Sequence, residues 1–184
     1  MNNFFKKVAF LLVILFWTNA SLSCDLLGFN IGGDKSDIEH YFGSIGEDTS
    51  LVVDSTLIEE TDESSQQKFF NVSTEIDDVC PSLNLGNSIF KAIIIDNIIA
   101  AVGIEVINGT ANAESKKKLL YNYVTTIFGA IENSEDPEWT GYKIWNIGDR
   151  EIIYAKTIMM KKHMIEEVLV TNKKYVYLIS GNDE

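Results

Sequence analysis

The chain has 184 residues, 46% of them hydrophobic, and its 27 acidic residues outnumber 15 basic ones to give a formal net charge of −12. This apolar content excludes global disorder, and the length suits one domain or two very small ones. An acidic chain repels the phosphates of nucleic acids and anionic lipid headgroups, so no nucleic acid is expected as a partner. The charge is expected either to favour a basic partner surface or simply to keep the protein soluble.

Residues 1–20 have the pattern of a secretory signal peptide. Lys6 and Lys7 precede the apolar run from Val8 to Trp17, and the small residues of Thr18-Asn19-Ala20 offer a cleavage site. The run is shorter than the ~20 residues that a membrane-spanning helix needs. We therefore predict a periplasmic or secreted protein. Removing the two lysines with the signal takes the net charge from −12 to −14.

The two cysteines, Cys24 and Cys80, allow two interpretations. In an exported chain a pair of cysteines predicts one disulfide. Closing a loop of that length stabilises a fold by about 4 kcal/mol on the chain-entropy model. Alternatively, Cys24 is the lipidated first residue of a lipoprotein anchored in the envelope, with Ser23 at the position before it.

Two segments of the chain resemble each other. Residues Ile38 to Ile45 align without a gap with Val124 to Ile131, and both contain Phe-Gly within matching apolar positions. Acidic, polar sequence and then β-rich sequence follow each segment. This pattern indicates an internal duplication, with a first repeat over 21–109 and a second over 110–184 that together form one compact unit.

The first repeat is predicted to open with a short helix. Ser36 is a suitable N-cap, Glu39 completes a capping box, and Gly43 supplies a left-handed turn at the end. Four β-like runs follow, over Leu51–Ile58, Lys68–Ile76, Ser88–Ile95 and Ile98–Ile107. Asp96-Asn97 is the predicted two-residue turn between the last two.

The second repeat has a stronger helical pattern, from Ala111 to Phe128. Four β-like runs follow, over Gly141–Ile147, Glu151–Met159, Met164–Thr171 and Tyr175–Ser180. Gly148-Asp149, Lys161-Lys162-His163 and Asn172-Lys173 mark the turns between them. A helix followed by four strands, twice over, with short connections, predicts an α+β fold of two helix-plus-antiparallel-sheet repeats, with the helices packed on one sheet face.

The segment Gly32-Gly33-Asp34-Lys35-Ser36-Asp37-Ile38 through Phe42-Gly43, followed by a meander, resembles exported bacterial tandem domains. These include the β-lactamase-inhibitor-protein-like domains and the small outer-membrane lipoprotein A family. Members of these families are mainly binding, inhibitory or assembly proteins. The resemblance therefore implies a protein partner rather than catalysis.

The sequence predicts no catalytic residue, metal site or cofactor. His40 and His163 are the only histidines, and neither has a Cys, Asp or Glu at the helical spacing of a metal site. No Gly-x-Ser-x-Gly motif, calcium loop or phosphate-binding loop is present. A secreted hydrolase stays an alternative, because the members of a catalytic set need to meet only in space.

Aromatic residues are the best candidates for a binding surface. They lie on the predicted strands of the second repeat: Tyr142, Trp145, Tyr154, Tyr175 and Tyr177. Aromatic side chains on an open sheet face supply contact area at small entropic cost, although the same residues would form core if the repeats packed there. We expect an exported, non-enzymatic protein-binding, inhibitory or assembly domain of the bacterial envelope. The alternatives are the hydrolase and a lipid-anchored structural protein.

Overall fold

The computed structural model describes residues 25–43, 69–109, 112–132, 139–159 and 163–180, and its centre is one six-stranded antiparallel sheet. The strands are β1 Phe69–Glu75, β2 Ser88–Ile95, β3 Ile98–Val106, β4 Gly141–Ile147, β5 Arg150–Met159 and β6 His163–Asn172. They lie in the order β1-β2-β3-β6-β5-β4, and every neighbouring pair is antiparallel. The predicted α+β class with an antiparallel sheet is confirmed.

Short helices complete the fold. Two 3₁₀ turns, Leu26–Gly28 and Lys35–Asp37, are followed by α1 Glu39–Phe42, α2 Ile76–Val79, α3 Ala113–Lys116, α4 Leu119–Phe128 and α5 Val176–Ser180. Within the described ranges, no helix is both long enough and apolar enough to cross a membrane.

The predicted strand positions hold for β1 to β6, and β2 and β4 have the predicted bounds. The tight turns explain this agreement. Asp96 and Asn97 have φ values of +50° and +67°, as both central residues of a type I′ hairpin turn require. Gly148, at φ +65°, turns the chain between β4 and β5. The predicted strand Leu51–Ile58 lies outside the described residues.

The predicted strand Tyr175–Ser180 is wrong, because the chain forms α5 there. The N–H of Tyr175 donates to the carbonyl of Asn172 (2.8 Å), and the N–H of Ile179 donates to the carbonyl of Tyr175 (3.1 Å). The first of these hydrogen bonds closes a turn and the second is an i→i−4 bond of a helix, whereas a strand would pair with a neighbouring strand. So short an apolar run does not distinguish a strand from a buried helix by its periodicity.

Both predicted repeat helices need correction. The first begins at Glu39 rather than after Ser36, and the backbone N–H of Ser36 donates to Oδ1 of Asp34 at 2.9 Å. The second is divided into α3 and α4, because Lys118 adopts a left-handed conformation at φ +55°. Its predicted end at Phe128 is confirmed.

The core lies on one face of the sheet. Phe90, Val102 and Ile152 are fully buried there and belong to the same cluster as Leu120 and Val124 of α4. Burying each such side chain contributes about 2 kcal/mol of hydrophobic free energy. Burial of the apolar side chains of α4 therefore contributes to the stability of this helix.

Arg150 fastens the N-terminal segment to the sheet. Its guanidinium donates to the carbonyl oxygen of Leu27 and, at 3.0 Å, to that of Phe29. The segment also pairs with the start of β3, since the N–H of Gly32 donates to the carbonyl of Ile99 (2.8 Å). These contacts place the residues that follow Cys24 against the fold.

Cys80, which follows α2, is 1% exposed and is not a free thiol. Cys24 lies outside the described residues, so its pairing with Cys80 stays a prediction. The same holds for the signal peptide, residues 1–20.

Candidate functional site

The aromatic residues predicted to form a binding surface lie on different sides of the sheet. Tyr142 is 73% exposed on β4. Trp145, three residues further along β4, faces the core side, where its ring centroid lies 5.8 Å from that of Phe128. Tyr154 is fully buried on that same side and stacks on Trp139. Strand alternation therefore separates Tyr142 from the other two.

The two remaining aromatic residues follow β6. Tyr175 lies in the turn before α5, with Nζ of Lys174 4.5 Å from its ring centroid. Tyr177 is 61% exposed on α5. The structure does not bring the five predicted residues together on one surface.

The sheet has a second face, turned away from the core, which we call the open face. Register partners share a face in an antiparallel sheet, so the pairings define its rows. The central row runs across all six strands, through Ser73, Lys91, Gly103, Leu169, Ile153 and Ile144. The next row runs through Glu75, Ile89, Glu105, Glu167, Ala155 and Tyr142. Tyr142 therefore lies on the open face, at its β4 edge.

A groove of about 640 Å³ crosses this face and is named here the open-face groove. Residues of β1, β2, β3, β5 and β6 form its floor, and Val176 and Ile179 of α5 form a wall. Ile153 and Leu169 are among its apolar lining residues. Helix α5 covers part of the open face and leaves the groove beside it.

Three charged side chains meet at the centre of the groove and are named here the Lys91 cluster. The ammonium of Lys91 lies 3.1 Å from Oε2 of Glu105 and also contacts Oε2 of Glu167. Glu105 and Glu167 are direct register partners on β3 and β6. Lys91 starts on β2, and its own register partner on β3 is Gly103, which has no side chain.

The cluster carries one formal positive and two formal negative charges. Burial disfavours the charged form of Lys91, but attraction and hydrogen bonding from Glu167 and Glu105 outweigh it and raise the lysine pKa above its ordinary 10.5. Lys91 is therefore an ammonium at neutral pH. A nucleophilic lysine needs the opposite shift, so Lys91 is not activated as a nucleophile.

A second polar group is sealed on the core side. The hydroxyl of Tyr154 donates to Oε1 of Glu166 at 2.8 Å, and the Glu166 side chain is 1% exposed. Among the described residues Oε2 of Glu166 has no hydrogen-bond partner. Burial and the neighbouring charge of Glu166 raise the pKa of Tyr154. No solvent reaches this pair, so we assign it a structural role.

The two histidines do not form a metal site. His40 is exposed, with its ring centroid 3.7 Å from that of Tyr41, and His163 is half-buried at the start of β6. In the part of the chain that the structure describes, no group of three or more His, Cys, Asp or Glu residues is placed to hold a metal ion.

Sequence reasoning missed the Lys91 cluster, although a signal was present. Lys91 and Glu105 are the single charged residues of otherwise largely apolar strands, and Glu167 on β6 alternates with buried residues. Alternation places Lys91 and Glu105 opposite the buried residues of their strands, whereas the adjacent Glu166 and Glu167 lie on opposite faces and leave that choice open. Their meeting depends on the β3–β6 pairing, which joins distant parts of the chain.

Comparison of the chain with family models, with curated proteins and with solved structures finds no match.

Proposed function

We propose that the chain is an exported, non-enzymatic protein-binding domain of the bacterial envelope, and that the open-face groove is its binding surface. The observation that carries the proposal is the composition of the groove, in which aliphatic walls surround one charged cluster. Recognition sites combine apolar area with a few polar groups that fix orientation. Tyr142, at the β4 edge of the same face, adds exposed aromatic area, a residue type enriched at the energetic centres of protein interfaces.

Two features of the sequence support the export and binding parts of this proposal. Residues 1–20 have the pattern of a signal peptide. The segment from Gly32 to Gly43 resembles exported tandem domains whose members are mainly binding, inhibitory or assembly proteins. We expect the same class of role here.

We also propose that the two halves descend from one duplicated unit. Strands β1–β3 and β4–β6 are two antiparallel meanders joined through β3 and β6. The helix before each meander ends at Phe-Gly, and Gly43 and Gly129 both have positive φ, +77° and +110°. In an experimental structure, superposition of one meander on the other is expected to give a two-fold rotation axis between β3 and β6. A rotation far from two-fold would contradict the duplication.

The binding surface is tested by blocking the groove. Ser73→Trp adds bulk at the β1 end of the central row, and Thr126→Trp places the same side chain on the exposed side of α4 as a matched control. The wild type and both variants are used to capture proteins from envelope extract. A protein that is retained by the wild type and the control is then identified, purified and titrated by calorimetry.

Binding of that protein is expected to be lost with Ser73→Trp and kept with Thr126→Trp, while both variants unfold at the wild-type temperature. Equal binding to all three proteins would refute the assignment of the groove. Loss with Thr126→Trp alone would instead assign binding to the side of α4.

The export proposal is tested on the N-terminus of the mature protein. Intact mass spectrometry of protein recovered from the periplasm is expected to show a chain that lacks residues 1–20 and is two hydrogens lighter than its reduced form. That mass corresponds to a disulfide between Cys24 and Cys80. A diacylglyceryl group on Cys24 would instead establish the lipoprotein alternative.

A further inference from the structure

The Lys91 cluster leaves one negative charge without a partner in the open-face groove. Both of its ion pairs use Oε2 atoms, and among the described residues Oε1 of Glu105 and Oε1 of Glu167 make no hydrogen bond. The side chains of Glu105 and Glu167 are 34% and 24% exposed, so a ligand in the groove can reach them. The two free acceptor atoms therefore belong to direct register partners on β3 and β6.

The remainder of the open face has the same sign of charge. By register, its strand residues include four carboxylates, from Glu75, Glu105, Glu151 and Glu167, against the single ammonium of Lys91. His163, the other titratable group on the β6 side, lies at the far end of that strand. The whole chain, at −12, adds a long-range field of this sign.

The surroundings of the free oxygens are apolar. Leu169 lies in the row next to that of Glu167, and Ile89 is the register partner of Glu105. Val176 and Ile179 line the wall of the groove. Apolar walls lower the local dielectric, and a cation placed there is attracted more strongly than it would be on an open surface. The same walls offer apolar contact area to aliphatic residues on either side of such a cation.

We propose that the groove accepts a partner segment in which one arginine or lysine is flanked by aliphatic residues. The cation binds the free oxygens of Glu105 and Glu167, and the aliphatic neighbours pack on Ile153 and Leu169. Lys91 is an internal competitor, because its ammonium pairs with the Oε2 atoms of the same two carboxylates and neutralises one of their charges. This inference rests on the proposed function, since it states the chemistry of the partner in the same groove.

Defined peptides test the charge requirement. The probes are acetylated and amidated Gly-Ile-Val-X-Val-Ile-Gly peptides in which X is arginine, its neutral isostere citrulline, or glutamate. Affinity is measured by NMR titration of the ¹⁵N-labelled protein, which also locates binding through the amide shifts of Ser73, Gly103 and Leu169. We expect the arginine peptide to bind about tenfold more tightly than the citrulline peptide, and the glutamate peptide to bind more weakly than either.

Three variants separate a binding role from a structural one. Glu105→Gln with Glu167→Gln is expected to bring the arginine and citrulline affinities within about twofold of each other. Lys91→Met removes the competitor, so it is expected to strengthen arginine binding and steepen its salt dependence, which a merely structural lysine would not do. Glu151→Gln removes a carboxylate on the same face outside the cluster and is expected to leave the preference unchanged.

The outcomes distinguish this inference from the proposed function. If all three peptides shift the groove amides with equal affinity, the groove binds and the charge requirement is wrong. If Lys91→Met weakens arginine binding in a protein that is still folded, the competitor role is wrong. If no peptide shifts the groove amides and Ser73→Trp also leaves partner capture unchanged, both the inference and the proposed function are refuted.

Discussion

Replacing Tyr154 with phenylalanine removes the single hydrogen bond that the described structure gives to the buried carboxyl of Glu166. The hydroxyl donates to Oε1 at 2.8 Å, the carboxyl is 1% exposed, and Oε2 has no hydrogen-bond partner among the described residues. The phenylalanine ring keeps the stacking on Trp139. Packing is therefore conserved, and the change isolates the hydrogen bond.

A hydrogen bond to a charged group contributes about 1.5–3 kcal/mol, and leaving the group buried without a partner adds to the loss. We therefore expect Tyr154→Phe to lower the free energy of unfolding by about 2–3 kcal/mol. With a denaturant slope of about 2 kcal/mol/M, the midpoint of urea unfolding falls by about 1 M.

A double-mutant cycle with Glu166→Gln tests the physical cause. The amide oxygen of the glutamine still accepts the hydrogen bond from the Tyr154 hydroxyl but carries no charge. Neutral hydrogen bonds have about half the strength of charged ones. Tyr154→Phe is thus expected to cost only about 1 kcal/mol in the Glu166→Gln background. An equal cost in both backgrounds, or a cost below about 0.5 kcal/mol in the wild type, would refute the reasoning.

Three further predictions concern stability and are measured by urea unfolding. Gly103→Ala is expected to cost about 2–3 kcal/mol, because a Cβ there collides with the carbonyl oxygen of Val168. Gly109→Ala is the control and should cost little, because a Cβ there meets no atom of the described residues within 4 Å. Arg150→Met is expected to cost about 3 kcal/mol, since it removes both donors to the N-terminal segment, and a cost below about 1 kcal/mol would contradict that role. The raised pKa of Lys91 means that its ion pairs stabilise the fold below pH 10.5 and that this stability is lost as the pH rises through the folded-state pKa. Lys91→Met should therefore reduce the alkaline loss of stability, and an unchanged pH profile would contradict this.

Local signals were sufficient for most of the sheet. Asp96-Asn97 and Gly148-Asp149 are turn pairs whose backbone conformations fix the register of the strands on either side, so β2 and β4 have their predicted bounds. The run from Tyr175 to Ser180 had no such signal, since its apolar residues suit either state. The break between α3 and α4 at Lys118 had no such signal either, because lysine is a good helix former and its positive φ cannot be predicted from the sequence.

The candidate site was harder to predict, because it depends on which strands are neighbours. Tyr142 was predicted correctly as a strand residue, but Trp145 and Tyr154 face the core, and alternation within one strand does not reveal which face is covered. The meeting of Glu105 with Glu167 requires the pairing of β3 with β6, which no local pattern specifies.

The β3–β6 pairing also has a consequence for the order of events during synthesis. Strand β3 ends at Val106 and its neighbour β6 begins at His163, so a growing chain must hold one hydrogen-bonding edge of β3 uncovered until more than fifty further residues have emerged. Long-range strand pairing of this kind is slow, and a bare apolar edge is a template for association with other chains. The newly made polypeptide therefore needs that edge shielded until β6 has been synthesised.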